Sequence, residues 1–151
     1  MRLNTVSDGY IFEIGDNKYI FKIPVQFLVS EDENPSLSKV QLKDIKHKKS
    51  SLIILPDGDV SVYPDCNFKN DDKPIKFPIA IRPIDSATTN NICLSVPVLS
   101  KGLNNVDGTI EVKAFIDFVF RGVCETKFEF DLLINVETKR FSIKSRRKTY
   151  K

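Results

Sequence analysis

TIEVKAFIDFVFRGVCETKFEFDLLIN, residues 109–135, is the stretch that decides the fold. Ile110, Val112, Ala114, Ile116, Phe118 and Phe120 recur at every second position, and so do Phe128, Phe130, Leu132 and Ile134 beyond Gly122. A period of two places successive side chains on opposite faces of a strand, so each set forms one apolar face. All of these positions are even-numbered. For both sets to lie on one side of an antiparallel pair, paired positions must have an even sum, which requires a loop of odd length and excludes a two-residue turn. The opposite face carries Glu111, Lys113, Asp117, Lys127, Glu129, Asp131 and Asn135, interrupted by Phe115, Val119 and Leu133. Those three apolar side chains need cover from the same chain, a protein partner or a second copy, which makes them the candidate partner contacts.

Outward from this hairpin the period of two persists. RFSIKS from Arg140 holds Phe141 and Ile143 at strand spacing and predicts a further strand ending at about Ile143. Upstream, Tyr10, Phe12 and Ile14 alternate with Ile11 and Glu13; after the turn-forming Gly15, Asp16 and Asn17, the alternation resumes at Tyr19, Phe21, Ile23, Val25 and Phe27. SLIILPDGDVSVYP, residues 51–64, predicts a second hairpin turning at Pro56, Asp57 and Gly58. Asp57 and Asp59 lack the third ligand and terminal Glu of a calcium loop, so they read as turn chemistry. IKFPIAIRPI from Ile75 and NICLSVPVL from Asn91 carry Pro78, Pro83 and Pro97, and because proline cannot donate to a ladder both segments predict edge or bulged strands.

Only 35–49 competes as a helix, with Asn34 as N-cap, Pro35 in the first turn, lysines at the end and a thin stripe of Leu37, Val40 and Ile45. An edge strand over VQLKDI is the rival reading. The expected fold is mainly β: a single-domain antiparallel β-sandwich over 1–145, with at most one short helix near 35–49, then a basic C-terminal tail over 146–151.

The charge of the chain is divided unevenly. KRFSIKSRRKTYK, residues 139–151, has seven Lys or Arg and no acid, while positions 1–138 hold 16 basic against 20 acidic residues, a net of −4. An acidic body repels phosphate over most of its surface, so weak nucleic-acid contact is expected through the tail alone, with Arg146, Arg147, Lys148 and Lys151 as an electrostatic patch. Three cysteines, Cys66, Cys93 and Cys124, have neither even number nor metal-site spacing and read as free, reduced thiols with no pair close enough to bridge. The opening MRLNTVSDGYIF lacks the apolar core of a secretory leader, and no apolar run approaches the roughly 20 residues of a membrane span. The expectation is a cytoplasmic chain with no membrane association.

Catalytic patterns are not legible. His47 is the only histidine, set in KHKK, and no thiol has a neighbourhood that would prepare a thiolate. Asp117 and Glu129 are a pair of carboxylates on facing strands, which alternating surface charge explains. No nucleotide-binding or hydrolase motif occurs, and the residues call for no cofactor and no metal. The leading expectation is a noncatalytic binding or adaptor domain that engages a protein partner or itself through a sheet face or edge strand. A nucleic-acid-binding accessory protein using the tail is the second reading, and an enzyme of unrecognised type the third.

Overall fold

The 109–135 stretch folds as its parity requires. The structure, a computed structural model, describes residues 2–5, 7–29, 35–69, 71–81, 91–121 and 126–148. Its strands in chain order are β1 (Arg2–Asn4), β2 (Gly9–Gly15), β3 (Lys18–Leu28), β4 (Ser36–His47), β5 (Ile53–Pro56), β6 (Ser61–Tyr63), β7 (Ile79–Ala80), β8 (Asn91–Lys101), β9 (Thr109–Phe120), β10 (Thr126–Asn135) and β11 (Arg140–Lys148). β9 and β10 pair antiparallel, with Ile116 opposite Phe128 and Val112 opposite Leu132. The connecting residues, 121–125, are odd in number, and every even-numbered apolar side chain of the hairpin is buried. β11 lies along the other side of β10, setting Phe141 opposite Ile134 and Ile143 opposite Leu132. It continues to Lys148, opposite Lys127, so the expected boundary between domain and tail at 145/146 falls inside a strand.

The strands form one antiparallel sheet in the order β5-β8-β3-β2-β11-β10-β9-β4-β7, with β1 also beside β3 and β6 also beside β8. Two stacked sheets were expected; the pairing shows one sheet, curled into a half-barrel. Curling follows from the right-handed twist of each strand, and it lets one sheet bury its own inner face. Phe27 of β3 meets Phe118 and Phe120 of β9 edge-on, with ring centroids 5.7 and 6.0 Å apart, although β2, β11 and β10 lie between them in the sheet. Phe21 of β3 reaches Phe141 of β11 at 5.8 Å. The core is the space enclosed by this curl.

Residues 36–47 are a strand, which corrects the helix considered for 35–49. The buried side chains Leu37, Val40, Leu42 and Ile45 are spaced unevenly, resembling a helical stripe more than an alternation. The cause is two register shifts against β9, between Leu37 and Lys39 and between Leu42 and Asp44. Each bulge inserts one extra residue, so the side chain that faces inward arrives one position late. The only helical turn among the described residues is a 3₁₀ turn, Leu103–Asn105.

The 51–64 segment also differs from expectation. β5 and β6 do not pair with each other; both run along the same edge of β8, with Pro56 opposite Val98 and Ser61 opposite Ser95. Residues 57–60 therefore span only 96–97 on β8, and the surplus is taken up in a jog where Gly58 adopts φ 121°. Turn-forming residues shape a jog as readily as a reversal. β8 is thus an internal strand, correcting its reading as an edge, and the jog shows how it tolerates Pro97. The Pro97 carbonyl accepts the N–H of Asp57 at 3.0 Å, so the side of its backbone without a donor meets irregular chain. Pro24 on β3 likewise falls between Lys22, paired with β2, and Gln26, paired with β1. β7, which follows Pro78, is an edge strand as expected, while Pro83 lies outside the described residues.

β2 and β3 form the expected hairpin, but β2 shows its alternating set to solvent. Tyr10, Phe12 and Ile14 are exposed, whereas Ile11 is buried opposite Phe21. On the inner side the space beside Phe21 is filled by Phe141, whose ring occupies the place a Cβ on Gly9 would take; the Lys22 carbonyl oxygen is 2.6 Å from that same point. Gly9→Ala is therefore expected to cost about 1–3 kcal/mol, as overpacking of a filled core does, read as a lower urea midpoint at unchanged m-value. A neutral effect would show that Phe141 is not seated against β2.

Cys66 and Cys93 form a disulfide with their Cα atoms 5.1 Å apart, which corrects the expectation that no two thiols could meet. They are 27 positions apart in sequence, but β6 places Tyr63 directly opposite Cys93, so the chain leaving β6 passes over the outer side of β8. Sequence spacing carries no trace of that approach. Cys124 lies outside the described residues.

Candidate contact surface

Because the core is enclosed by the curl, function falls to the outer faces, and the two halves of the sheet differ in chemistry there. On β4, β9, β10 and β11 the outer face is an ionic lattice. Asp117, 3% exposed, lies opposite Lys127 and is held by its ammonium at 3.4 Å, with Lys43 at 4.0 Å. Glu129, 4% exposed, is a diagonal neighbour of Asp117 and pairs with Arg146, which also bonds Asp131 at 3.1 Å; Lys113 approaches Asp131 at 3.9 Å. The Asp131 hydrogen bond, then the charges of Glu129 and Asp131, hold the Arg146 guanidinium above its usual pKa. Asp117, Glu129 and Asp131 are each matched to a cation, the arrangement of a structural lattice rather than of an acid–base pair.

The three apolar residues picked out on this face sit within the lattice. Phe115 is half-buried, with the Lys46 ammonium 5.3 Å from its ring centroid. Val119 is half-buried, and its carbonyl accepts the Ser38 hydroxyl at 2.9 Å. Leu133 is 50% exposed, between Glu111 and Ser142. The structure therefore brings Phe115 under the Lys46 ammonium, leaves Val119 half-buried and leaves Leu133 open. Of the tail residues, Arg146 is committed to its acids, Arg147 is exposed on β11, Lys148 ends that strand, and Lys151 lies outside the described residues.

The outer face of β5, β8, β3 and β2 carries an apolar band bounded on β3 by Lys18 and Lys22. Leu55 lies opposite Leu99, and one step along the sheet Pro97, Ile20 and Phe12 form a row across three strands. Leu99, Pro97 and Ile20 are half-buried, while Phe12 and Leu55 are 42% and 51% exposed, with Ile53, Ile14 and Tyr10 exposed beside them. Past this row the surface is roofed by the segment that the disulfide ties to Cys93. There the Phe68 ring stacks on Tyr63 at 3.7 Å, and Lys22 donates to the Phe68 carbonyl at 2.9 Å while its ammonium lies 3.9 Å from the Phe68 centroid. Burial pushes the Lys22 pKa below the usual lysine value, with nearby Asp72 acting the other way. The roof ends at Lys22, whose ammonium also lies 5.3 Å from the Phe12 ring centroid, and beyond it Phe12 stays exposed beside half-buried Ile20 and Pro97.

The sequence did not single out this second face, because the alternation of Tyr10, Phe12 and Ile14 shows that they share a face without showing which way it turns. No known protein family matches this chain, and no curated protein or solved structure does either. No helix among the described residues is long and apolar enough to cross a membrane.

Proposed function

We propose that this chain is a noncatalytic binding module that engages a protein partner, or a second copy of itself, through the outer face of β5, β8, β3 and β2. The observation that carries the reading is the apolar band of exposed Leu55 and Phe12 with half-buried Leu99, Pro97 and Ile20 between them, flanked by exposed Tyr10, Ile14 and Ile53. Contiguous exposed apolar surface of this kind marks contact sites, and aromatic anchors carry most of the binding energy in such patches. The lattice face is a poorer candidate, because its charges are already satisfied by one another and would have to be desolvated to bury Phe115, Val119 or Leu133. The cytoplasmic setting expected for the chain rested on free thiols together with the lack of an apolar leader in the opening residues. A Cys66–Cys93 bridge supports instead a compartment that does not keep thiols reduced.

Phe12→Lys and Leu55→Lys test the reading, because both side chains are exposed and neither contributes to the core. Each is expected to leave the melting temperature nearly unchanged while weakening self-association or partner retention by roughly 30-fold, the effect of removing a hot spot. Light scattering across a concentration series reads the first, and affinity capture from cells reads the second. Leu133→Lys should bind as the parent does. Loss of binding in Leu133→Lys with none in Phe12→Lys would move the contact back to the lattice face.

A further inference from the structure

We propose that the cleft between the end of β4 and the start of β9 binds the phosphate backbone of single-stranded nucleic acid. The cleft, about 680 Å³, is lined by Lys46, His47, Lys48, Lys49, Glu111 and Lys113 among others. With four lysines against one carboxylate, its lining carries a net charge of +3 when His47 is neutral. Lys46 and Lys113 stand directly opposite each other on neighbouring strands, where like charges repel. Lys113 finds only a distant partner in Asp131, at 3.9 Å, and Lys46 leans over the Phe115 ring. Lys46, Lys48 and Lys49 are exposed and make no ion pair with any described residue. This contrasts with the lattice beside it, where the carboxylates and cations satisfy one another.

His47 adds a donor. Its Nδ1 accepts the backbone N–H of Lys49 at 3.2 Å, which leaves the proton of the neutral ring on Nε2, free to be given to an anion. The lysines come from both walls and from the turn beyond β4, and no buried polar group focuses them on one point. Such a spread fits a chain of phosphates better than a single small anion. Contact is with phosphate, so little sequence selection is expected. Arg146, the central basic residue of the C-terminal stretch, is held by Glu129 and Asp131 and is not available for this role.

A labelled single-stranded oligonucleotide, titrated into the full chain across a salt series, tests the proposal. Four lysine contacts predict a slope of log K against log salt of about −3, and Lys48→Gln with Lys49→Gln should bring it to roughly −1.4 and weaken binding at low salt about tenfold or more. Glu111→Gln removes the one opposing charge and should tighten binding, an outcome that a merely structural role for Glu111 would not produce. Arg147→Gln, away from the cleft, should bind as the parent does. Equal affinity and slope for the parent and the double lysine variant would overturn the proposal, as would no gain in Glu111→Gln. A mononucleotide or inorganic phosphate competing as well as the oligonucleotide would overturn it too, by showing a single-anion site.

Discussion

Loss of the Cys66–Cys93 disulfide, by reduction or by Cys66→Ser with Cys93→Ser, is expected to destabilise the protein by about 3–4 kcal/mol. The estimate comes from the 27-residue separation of the bridged positions, because the cross-link denies the unfolded chain the entropy of that loop. For a domain of this length each kcal/mol moves the melting temperature by about 2–4 °C, so a fall of roughly 10 °C should be seen when reductant is added. The effect has a local side as well. β6 is three residues long and the segment beyond it has little regular pairing, so the bridge, the Tyr63–Phe68 stack and the Lys22 bonds are what hold the roof over the outer face. Proteolysis in 64–72 should therefore accelerate on reduction ahead of global unfolding. Denaturation without reductant, alkylation and mass measurement read the bridge directly: Cys66 and Cys93 should take no label. Full labelling of both, with no change of stability on adding reductant, would restore the free-thiol reading and with it the reducing compartment.

Phe118→Ala should cost about 3–5 kcal/mol, the usual loss for emptying a buried phenylalanine site. Phe118 is fully buried and is the ring on which the curl closes. It meets Phe27 from the far side of the sheet at 5.7 Å and Phe128 from the neighbouring strand at 5.4 Å, both edge-on, and Phe130 at 6.5 Å. Truncation removes those aromatic contacts and leaves a cavity that two halves of one sheet cannot collapse without moving against each other. Val119→Ala, the next side chain and on the outer face, should cost less than about 1 kcal/mol. Urea midpoints for the pair give the comparison. Similar small losses in both would mean that β3 and β9 do not face each other across the core.

How much of this was legible in the residues depends on whether a strand is regular. The 109–135 hairpin was readable to the level of which side chains share a face and the parity of its register, because two even-numbered sets can be buried together only across a loop of odd length, while the actual pairs come from the structure. Its burial, its odd loop and the placement of Phe141 and Ile143 beside it all follow from the sequence. β4 was not readable in the same way: its two bulges give inward residues 37, 40, 42 and 45 the uneven spacing of a helical stripe. The three apolar residues chosen on the β9–β10 outer face do lie on that face, yet the Lys46 ammonium over Phe115 and the Ser38 hydroxyl on the Val119 carbonyl come from β4, and no local pattern announces that strand beside β9.

The sequence by itself determined which side chains share a face within the regular strands, because alternation is a property of the unbulged backbone and needs no partner. Tertiary structure alone decided which way some of those faces turn. At the β2–β3 turn Gly15 pairs with Lys18, and on that register Tyr10 and Phe12 would join Tyr19, Phe21 and Ile23 inside. One bulge between Glu13 and Gly15 shifts the register by a residue, setting Ile11 opposite Phe21 and sending Tyr10 and Phe12 to the surface. A bulge is selected by what already fills the core, here Phe21 and the Phe141 ring seated over Gly9 from a strand some 130 residues away in sequence. The disulfide obeys the same logic. Cys66 and Cys93 meet only because β6 docks beside β8, a contact made through space whose cause lies in neither cysteine's own neighbours.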